Sequence, residues 1–330
     1  MNFIETYKNK VFTATNANFN ELALELFHFQ ANNNNVYQSY LDHLKINPNN
    51  IEHIEQIPCL PIDFFKQNNI KSIQKDTNDY FMSSGTTQQT RSKHYIYDYS
   101  LYENSIKTTF EKQFGSIQNY NIIALVPDFN SNPHSSLAYM LNYLIKSSRN
   151  ANSGFYLDTL THLDQIIERC NTSKKQNIIF SLSYALLDLV NLSLNINLSN
   201  SIIIETGGMK GKKKELTREE LHHQINTYLK PLAIYSEYSM AELFSQAYTS
   251  KNSLNFIPPP WMRIIIKDFQ DPFQLIQDKN SGKINIIDLA NIYTCAFIET
   301  NDLGKTHKNT FEVLGRIDNS DLRGCNLMTL

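Results

Sequence analysis

The chain has little glycine, and the glycines that it has are concentrated in a few places. Only 10 of its 330 residues are glycine, well below the usual share of about 7%. Glycine is kept where the backbone needs a conformation or a close approach that a Cβ forbids, so such a concentration predicts a functional site. Six of the ten fall in the polar motifs described below: Gly85, Gly207, Gly208, Gly304, Gly315 and Gly324.

The chain also lacks paired cysteines, a strong net charge and a long apolar run. Its four cysteines show no C-x-x-C spacing, which argues against a disulfide framework or a zinc site. With 30 basic and 32 acidic residues the net charge is −2, so no general attraction to nucleic acid or to an anionic membrane is expected. The N-terminus has no signal-peptide core, and the most apolar region, 178–196, is interrupted by polar residues. We therefore expect a cytoplasmic protein without membrane insertion.

Apolar, strand-like runs alternate with helical segments through the middle of the chain. The runs 122–126, 178–182 and 202–205 predict buried strands, and segments with helical periodicity lie between them. Capping boxes at Ser100–Glu103 and Thr217–Glu220 predict where two helices begin. The alternation predicts an α/β fold with a mostly parallel, doubly wound sheet.

One polar stretch, 82–94, carries the groups that hold a polyphosphate. Hydroxyls and backbone N–H groups bond phosphate oxygens, and cationic side chains offset their charge. The spacing is not that of a Walker loop, and a solvated Ser/Thr turn is the alternative interpretation. The residues expected to contact phosphate are Ser83, Ser84, Gly85, Thr86 and Thr87, with Arg91 and Lys93.

Further polar residues follow later strands, where ligands bind in open parallel sheets. Gly207 and Gly208 follow the strand 202–205 and allow a ring or a phosphate to approach the backbone. Tyr238 is suited to stack on a base, and Glu242 to reach a metal ion on its phosphates. The alternatives are an ordinary turn for the glycines and a solvated helical position for the glutamate.

A third group lies nearer the C-terminus. Asp302 is predicted to occupy a tight turn after a strand, where a carboxylate accepts the two hydroxyls of a ribose. Arg316 follows the next strand and suits phosphate or ribose recognition.

Four of these motifs occur in the order found in the adenylate-forming superfamily of acyl-CoA synthetases and ligases. The closing stretch 315–327 and the form of the 83–92 motif most resemble its acyl-protein synthetase (LuxE-like) branch, which is related to phenylacetate–CoA ligases. The four motifs are Ser83-Ser-Gly-Thr-Thr87, Tyr238-Ser-Met-Ala-Glu242, Asn301-Asp302-Leu-Gly304 and Gly315-Arg316-Ile-Asp318.

The resemblance implies a role for each motif. The 83–87 loop, with Arg91 or Lys93, would hold the phosphates of ATP, and Glu242 would bind Mg²⁺. Gly207 and Gly208 would approach the adenine and Tyr238 would stack on it, while Asp302 and Arg316 would hold the ribose. A carboxylic acid, most typically a fatty acid, would then attack the α-phosphate and form an acyl-adenylate.

The resemblance also implies a division of the chain. We expect a helical segment at 1–75, an α/β nucleotide-binding core at 76–257 and a β-rich closing subdomain at 258–330. The superfamily's mobile C-terminal lid domain is expected to be absent, because the sequence stops about a dozen residues after Arg316. Gln88 stands where the family usually has glycine, and Ser239 and Ala241 replace a usual glycine and threonine.

Two further residues are candidates for the acyl substrate. In the branch that this chain resembles, a cysteine near the C-terminus takes the acyl group as a thioester, and Cys325 is the candidate for that role; a buried structural cysteine is the alternative. His134 follows a predicted strand end, where it would line a substrate pocket or cap the next helix.

The sequence allows several final acyl acceptors, and it allows either an active enzyme or a non-catalytic subunit. A reductase, a carrier protein or coenzyme A would serve as acceptor, and the basic run at 210–214 is either a solvated face or a docking site for an acidic partner. An aryl- or acyl-CoA ligase is one alternative function. A non-catalytic acyl- or nucleotide-binding subunit is another.

Overall fold

The computed structural model describes residues 3–84, 90–192, 194–207 and 216–317. Its helices are α1 Phe3–Val11, α2 Phe19–Asn33, α3 Asn35–His43, α4 Phe64–Gln67, α5 Tyr99–Phe114, α6 Ser136–Ser148, α7 Leu163–Asn171, α8 Ser183–Leu192 and α9 Arg218–Tyr228. Its strands are β1 Leu60–Pro61, β2 Tyr80–Met82, β3 Lys93–Tyr95, β4 Tyr120–Leu125, β5 Gly154–Phe155, β6 Gln176–Leu182, β7 Ser201–Thr206, β8 Ala233–Tyr238, β9 Ala247–Thr249, β10 Phe256–Ile257, β11 Met262–Lys267, β12 Gly282–Asp288, β13 Phe297–His307 and β14 Thr310–Arg316. Within the described ranges, none of the helices combines the length and apolarity that a membrane crossing requires.

The chain divides into two compact units. The first comprises Met1–Asp98, Glu242–Phe244 and Pro258–Leu330, and the second comprises Tyr99–Ala241 and Ser245–Ile257. The domain boundaries after residues 75 and 257 remain predictions.

The first unit is built on an antiparallel meander with N-terminal helices packed on it. Strands β11, β12, β13 and β14 pair in sequence order, and β1 adds to β13 in parallel. Helices α2 and α3 are amphipathic, and their buried rings Phe27 and Tyr37 both pack on Phe297 of β13. Gly304 is required where β13 bulges, because a Cβ there would lie 2.5 Å from the carbonyl oxygen of Glu312 on β14. A separate hairpin, β2–β3, also belongs to this unit.

The second unit confirms the predicted α/β fold. Strands β5, β4, β6, β7 and β8 form a parallel array in that order, and β9 and β10 extend it antiparallel. The residues of β4 and β7 are all buried, as near-continuous apolar runs predict for parallel strands covered on both faces. Thr217 begins α9 with the predicted capping box, accepting from the backbone N–H of Glu220 at 3.2 Å.

Three local predictions are wrong. Helix α5 begins at Tyr99, so Ser100 lies inside the first turn and is not its N-cap. The sequence also predicts a short strand at Tyr95–Tyr97, but the strand lies two residues earlier, at Lys93–Tyr95 (β3), where it pairs with β2. Asp302 is not in a tight turn: β13 continues through it to His307, since pairing with β14 supplies the hydrogen bonds that a turn would otherwise provide.

Candidate nucleotide site

Two backbone segments meet at the base of the hydroxyl-rich loop in the first unit. The N–H of Ser83 donates to the carbonyl of Ser92 at 3.2 Å, and the N–H of Ser92 donates to the hydroxyl of Ser83 at 3.0 Å. These bonds continue the β2–β3 hairpin by one step, and they bring the two ends of the segment 84–91 together. Ser84 is exposed and Ser83 is half-buried.

Glu242 is bound directly to this loop base. Its side chain is 4% exposed, and its Oε1 accepts a short hydrogen bond from the hydroxyl of Ser92, which is itself buried. The alternative of a solvated helical position is therefore wrong. Glu242 lies in a turn after β8. It belongs to a short segment, Glu242–Phe244, that is part of the first unit.

Two polar side chains at and just beyond the end of β12 bind the turn that carries Glu242. The amide of Asn291 donates to the carbonyl of Glu242 at 2.9 Å, and Asp288 accepts from the N–H of Phe244 at 2.9 Å. Both side chains are buried. Asn291 thus binds the backbone carbonyl of Glu242, and Ser92 binds its carboxylate.

Opposing effects act on the pKa of the Glu242 carboxyl. Burial raises its pKa above the ordinary value of a glutamate, whereas the hydrogen bond from Ser92 and the positive charges of Arg316 and Lys66 act in the opposite direction. Burial is the larger effect, so the pKa of Glu242 lies above its ordinary value, and the two cations limit how far it is raised. Sequence reasoning missed Ser92, Asn291 and Lys66; the position of Ser92 next to Arg91 in the loop motif was the one available signal.

The structure places Asp302 and Arg316 opposite each other. They are register partners on β13 and β14, with the arginine Nε 4.0 Å from the carboxylate Oδ1. The arginine side chain is 73% exposed and the aspartate 14%, so the guanidinium reaches outward from a carboxylate that the sheet holds in place.

The two cationic candidates of the loop differ in their surroundings. Lys93 lies in β3, and its Nζ sits 4.8 Å from the centre of the Tyr80 ring, in a cation–π arrangement. Arg91 is half-buried and lies just before β3.

In the second unit, Gly207 follows β7 directly. Its φ of +66° lies in the left-handed region that favours glycine, and its carbonyl accepts from the Ser183 hydroxyl at 2.9 Å. The same hydroxyl lies 2.7 Å from Oε1 of Glu205, whose Oε2 is 3.4 Å from the Nε of Arg218. Ser183 therefore links the backbone of Gly207 to a partly buried ion pair that the sequence did not reveal.

Tyr238 and His134 also lie in the second unit. Tyr238 ends β8 and is buried, with its ring 5.8 Å from that of Phe256. His134 is half-buried before α6, but the N-cap of α6 is Ser135, which accepts from Ala138. The alternative that His134 caps this helix is wrong, and its place in a substrate pocket remains a prediction.

Several candidate residues lie outside the described part of the chain: Gly85, Thr86, Thr87, Gly208, the basic run 210–214 and Cys325. Within the described part, the cysteines Cys59, Cys170 and Cys295 are free and buried. These three thiols therefore belong to the core. No cluster of three or more His, Cys, Asp or Glu side chains that could hold a metal ion occurs among the described residues.

Comparison with solved structures supports the fold. A 2-hydroxyisobutyryl-CoA ligase in complex with 2-HIB-AMP and CoA aligns with a TM-score of 0.68 at 11% identity, over 94% of this chain and 78% of the ligase. ATP-bound MatB from Rhodopseudomonas palustris aligns with a TM-score of 0.53 at 12% identity, over 74% of this chain and 50% of MatB. A fatty acyl-adenylate ligase from L. pneumophila, in complex with acyl adenylate and pyrophosphate, aligns with a TM-score of 0.54 at 14% identity, over 74% of this chain and 51% of the ligase.

Comparison at the level of sequence identifies the family. No curated protein sequence matches the chain significantly. A family model described as "Acyl-protein synthetase, LuxE" matches residues 8–329, a span that contains all four motifs. The adenylate-forming fold and this match agree: the chain belongs to the LuxE acyl-protein synthetase family, and it is an enzyme that uses ATP to activate an acyl group as an adenylate.

Proposed function

We propose that the protein activates a fatty acid as its acyl-adenylate and then transfers the acyl group to a thiol of its own. The observation that carries the proposal is the buried Glu242 carboxylate, bound to the base of the hydroxyl-rich loop through Ser92. This arrangement joins the expected phosphate-binding loop to a carboxylate in one unit, as adenylate formation requires.

In the first step, an oxygen of the substrate carboxylate attacks the α-phosphorus of ATP. The bond from that phosphorus to the β-phosphate oxygen breaks, and pyrophosphate leaves. The chain contributes by positioning ATP and by offsetting the growing charge: the 83–87 loop with Arg91 and Lys93 holds phosphates, and Asp302 with Arg316 holds the ribose. Gly207 and Gly208 admit the adenine, and Tyr238 stacks on it.

The surroundings of Glu242 fit a magnesium ion. Mg²⁺ is commonly held in phosphate sites by one or two carboxylates together with the substrate phosphates and water, so a single buried carboxylate is sufficient. Mg²⁺ bound there would neutralise phosphate charge. Glu242 would hold it, and the Ser92 hydroxyl would orient the carboxylate.

In the second step, the thiolate of Cys325 attacks the acyl carbon of the adenylate. A thioester forms and AMP leaves with the electron pair of the broken C–O bond. A reductase or carrier protein would then receive the acyl group. Such an intermediate suits a cytoplasmic enzyme that passes a reactive acyl group to a partner.

Acid-dependent pyrophosphate release tests the first step. The protein is incubated with ATP, Mg²⁺ and a panel of fatty and aromatic acids, and pyrophosphate is measured. We expect release with fatty acids of a limited range of chain length. Tight ATP binding without release for any acid would contradict the proposal and support a binding subunit instead.

Covalent labelling tests the second step. An alkynyl fatty acid with ATP should label the wild type through a hydroxylamine-sensitive bond, and Cys325→Ser should lose the label while it still releases pyrophosphate. Cys170→Ser is the matched control, because Cys170 is buried in α7. Undiminished labelling of Cys325→Ser would contradict the assignment.

Coenzyme A is the second candidate acceptor, and one observation favours it. The 2-hydroxyisobutyryl-CoA ligase whose fold matches 94% of this chain was solved with CoA. If CoA is the acceptor, its addition should yield free acyl-CoA at the same rate in the wild type and in Cys325→Ser.

A further inference from the structure

The residue that joins the two parts of the candidate site is Ser92, to which the sequence assigned no role. It makes three hydrogen bonds: its N–H and carbonyl pair with Ser83 at the loop base, and its hydroxyl donates to Oε1 of Glu242. The side chain is 1% exposed. A buried hydroxyl therefore connects the stem of one functional segment to the carboxylate of another.

We propose that Ser92 is a positioning residue that sets the orientation of the Glu242 carboxylate. The proposal rests on the proposed function, because it concerns the same carboxylate and the same loop. It adds a specific residue whose hydroxyl orients that carboxylate.

The hydrogen-bond pattern separates the two tasks of Ser92. Its backbone groups hold the loop stem, and these bonds do not depend on the side chain. Its hydroxyl alone contacts Glu242, whose own backbone is anchored independently by Asn291. Removing the hydroxyl therefore frees the carboxylate without opening the loop base or displacing the turn that carries Glu242.

The consequence concerns the affinity for the cation. A carboxylate that is held by a second group presents its free lone pairs in one direction, whereas a released one samples several rotamers. Partners of ligating side chains typically contribute about 10- to 100-fold to metal affinity. Ser92→Ala should therefore raise the Mg²⁺ concentration needed for half-maximal ATP binding by about tenfold.

The experiment measures ATP binding by calorimetry at a series of Mg²⁺ concentrations, in the wild type, Ser92→Ala and Ser92→Thr. The threonine keeps the hydroxyl, so it should return the Mg²⁺ dependence toward the wild-type value. ATP binding without Mg²⁺ should be the same in all three proteins. A structural role alone would lower thermal stability and all ATP binding together, without shifting the Mg²⁺ dependence.

Two further proteins complete the design. Ser148→Ala removes a buried hydroxyl that donates to the carbonyl of Ile145 at 2.7 Å in the second unit, and it should leave the Mg²⁺ dependence unchanged. Adding Ser92→Ala to Glu242→Gln should cause no additional loss of Mg²⁺-dependent ATP binding, because the hydroxyl acts through the carboxylate.

The outcomes distinguish this inference from the function on which it rests. If the wild type shows Mg²⁺-dependent ATP binding, and Ser92→Ala has the same Mg²⁺ dependence or the two substitutions act independently, the role of Ser92 is refuted alone. If the wild type neither binds ATP nor releases pyrophosphate with any acid, the proposed function fails and this inference fails with it.

Discussion

Asp302 and Arg316 are register partners on neighbouring antiparallel strands, with the guanidinium Nε 4.0 Å from the carboxylate. The sheet fixes the backbone of both residues, yet the arginine side chain remains largely exposed. An exposed ion pair contributes little to stability, typically about 0–1 kcal/mol. The pair therefore adds little to the stability of the hairpin.

Arg316→Ala should separate ligand binding from stability. We expect the free energy of unfolding to change by less than about 1 kcal/mol, and the affinity for ATP to fall by about tenfold, because a charged hydrogen-bonding group is lost from the ribose site. Thermal unfolding and calorimetry measure the two effects. Lys305→Ala, which breaks the ion pair with Glu312 in the same hairpin, is the control and should leave ATP affinity intact.

Glu242→Gln should abolish most of the activity while preserving the fold. The amide is nearly isosteric and can still accept from Ser92, but it cannot carry the negative charge that holds a cation. We expect acid-dependent pyrophosphate release to fall by about 100-fold or more. Glu312→Gln, in the same unit, should remain near wild type. Equal Mg²⁺ dependence in Glu242→Gln and the wild type would exclude the metal role.

Gly207→Ala should impair ATP binding through the backbone. A non-glycine residue at its φ of +66° costs about 1–2 kcal/mol, which the chain would relieve by moving the loop away from Ser183. Gly115→Ala provides a matched control, because Gly115 also has a positive φ, +87°, and lies after the end of α5 with open space around it. Both variants should lose stability, and only Gly207→Ala should lose ATP affinity; equal affinities would contradict the assignment.

Alkylation under native conditions should modify one cysteine. The three thiols in the described part of the chain, Cys59, Cys170 and Cys295, are buried. Burial raises the pKa of all three, that of Cys59 to about 11, so they are both inaccessible and protonated at neutral pH. Iodoacetamide should therefore label Cys325, as peptide mass spectrometry would show. Incubation with a fatty acid and ATP should protect it. Rapid modification of Cys59 or Cys295 would contradict the assignment of these residues to the core.

His222 should make the stability of the second unit sensitive to mild acid. Burial lowers its pKa below the ordinary 6.5, as does the charge of Arg218, while the nearby Glu205 acts in the opposite direction. The lowered folded-state value means that its contribution is complete above pH 6.5 and is lost as the pH falls through the folded pKa, because the unfolded chain takes up the proton first. The thermal midpoint of the wild type should fall between about pH 7.5 and 5.5, and that of His222→Gln should fall less; equal declines would exclude His222 as the cause.

The sequence predicted those parts of the molecule that depend on local pattern. Continuous apolar runs at 122–126 and 202–205 correspond to β4 and β7, because a strand buried on both faces needs apolar side chains at every position. Thr217 and Glu220 predicted a helix start, since a capping box is complete within four residues. The order of the motifs predicted the family.

The sequence-based predictions were wrong for residues whose bonding partners lie far away in the chain. Asp302 was assigned to a turn because its neighbours Asn301 and Gly304 favour turns, but pairing with β14 keeps it in a strand. Glu242 was open to interpretation as a solvated residue, because nothing nearby in the chain shows that it is buried.

The fold class, the family and the order of the motifs can be predicted from the amino-acid sequence, because they follow from periodicity and from short runs of residues. The hydrogen bond of Ser92 to Glu242, 150 residues later in the chain, and the pairing of Arg316 with Asp302 across a hairpin become visible only in the folded protein. Such contacts form when backbone pairing and burial bring distant segments together, and no local pattern of residues encodes which hydroxyl will meet which carboxylate.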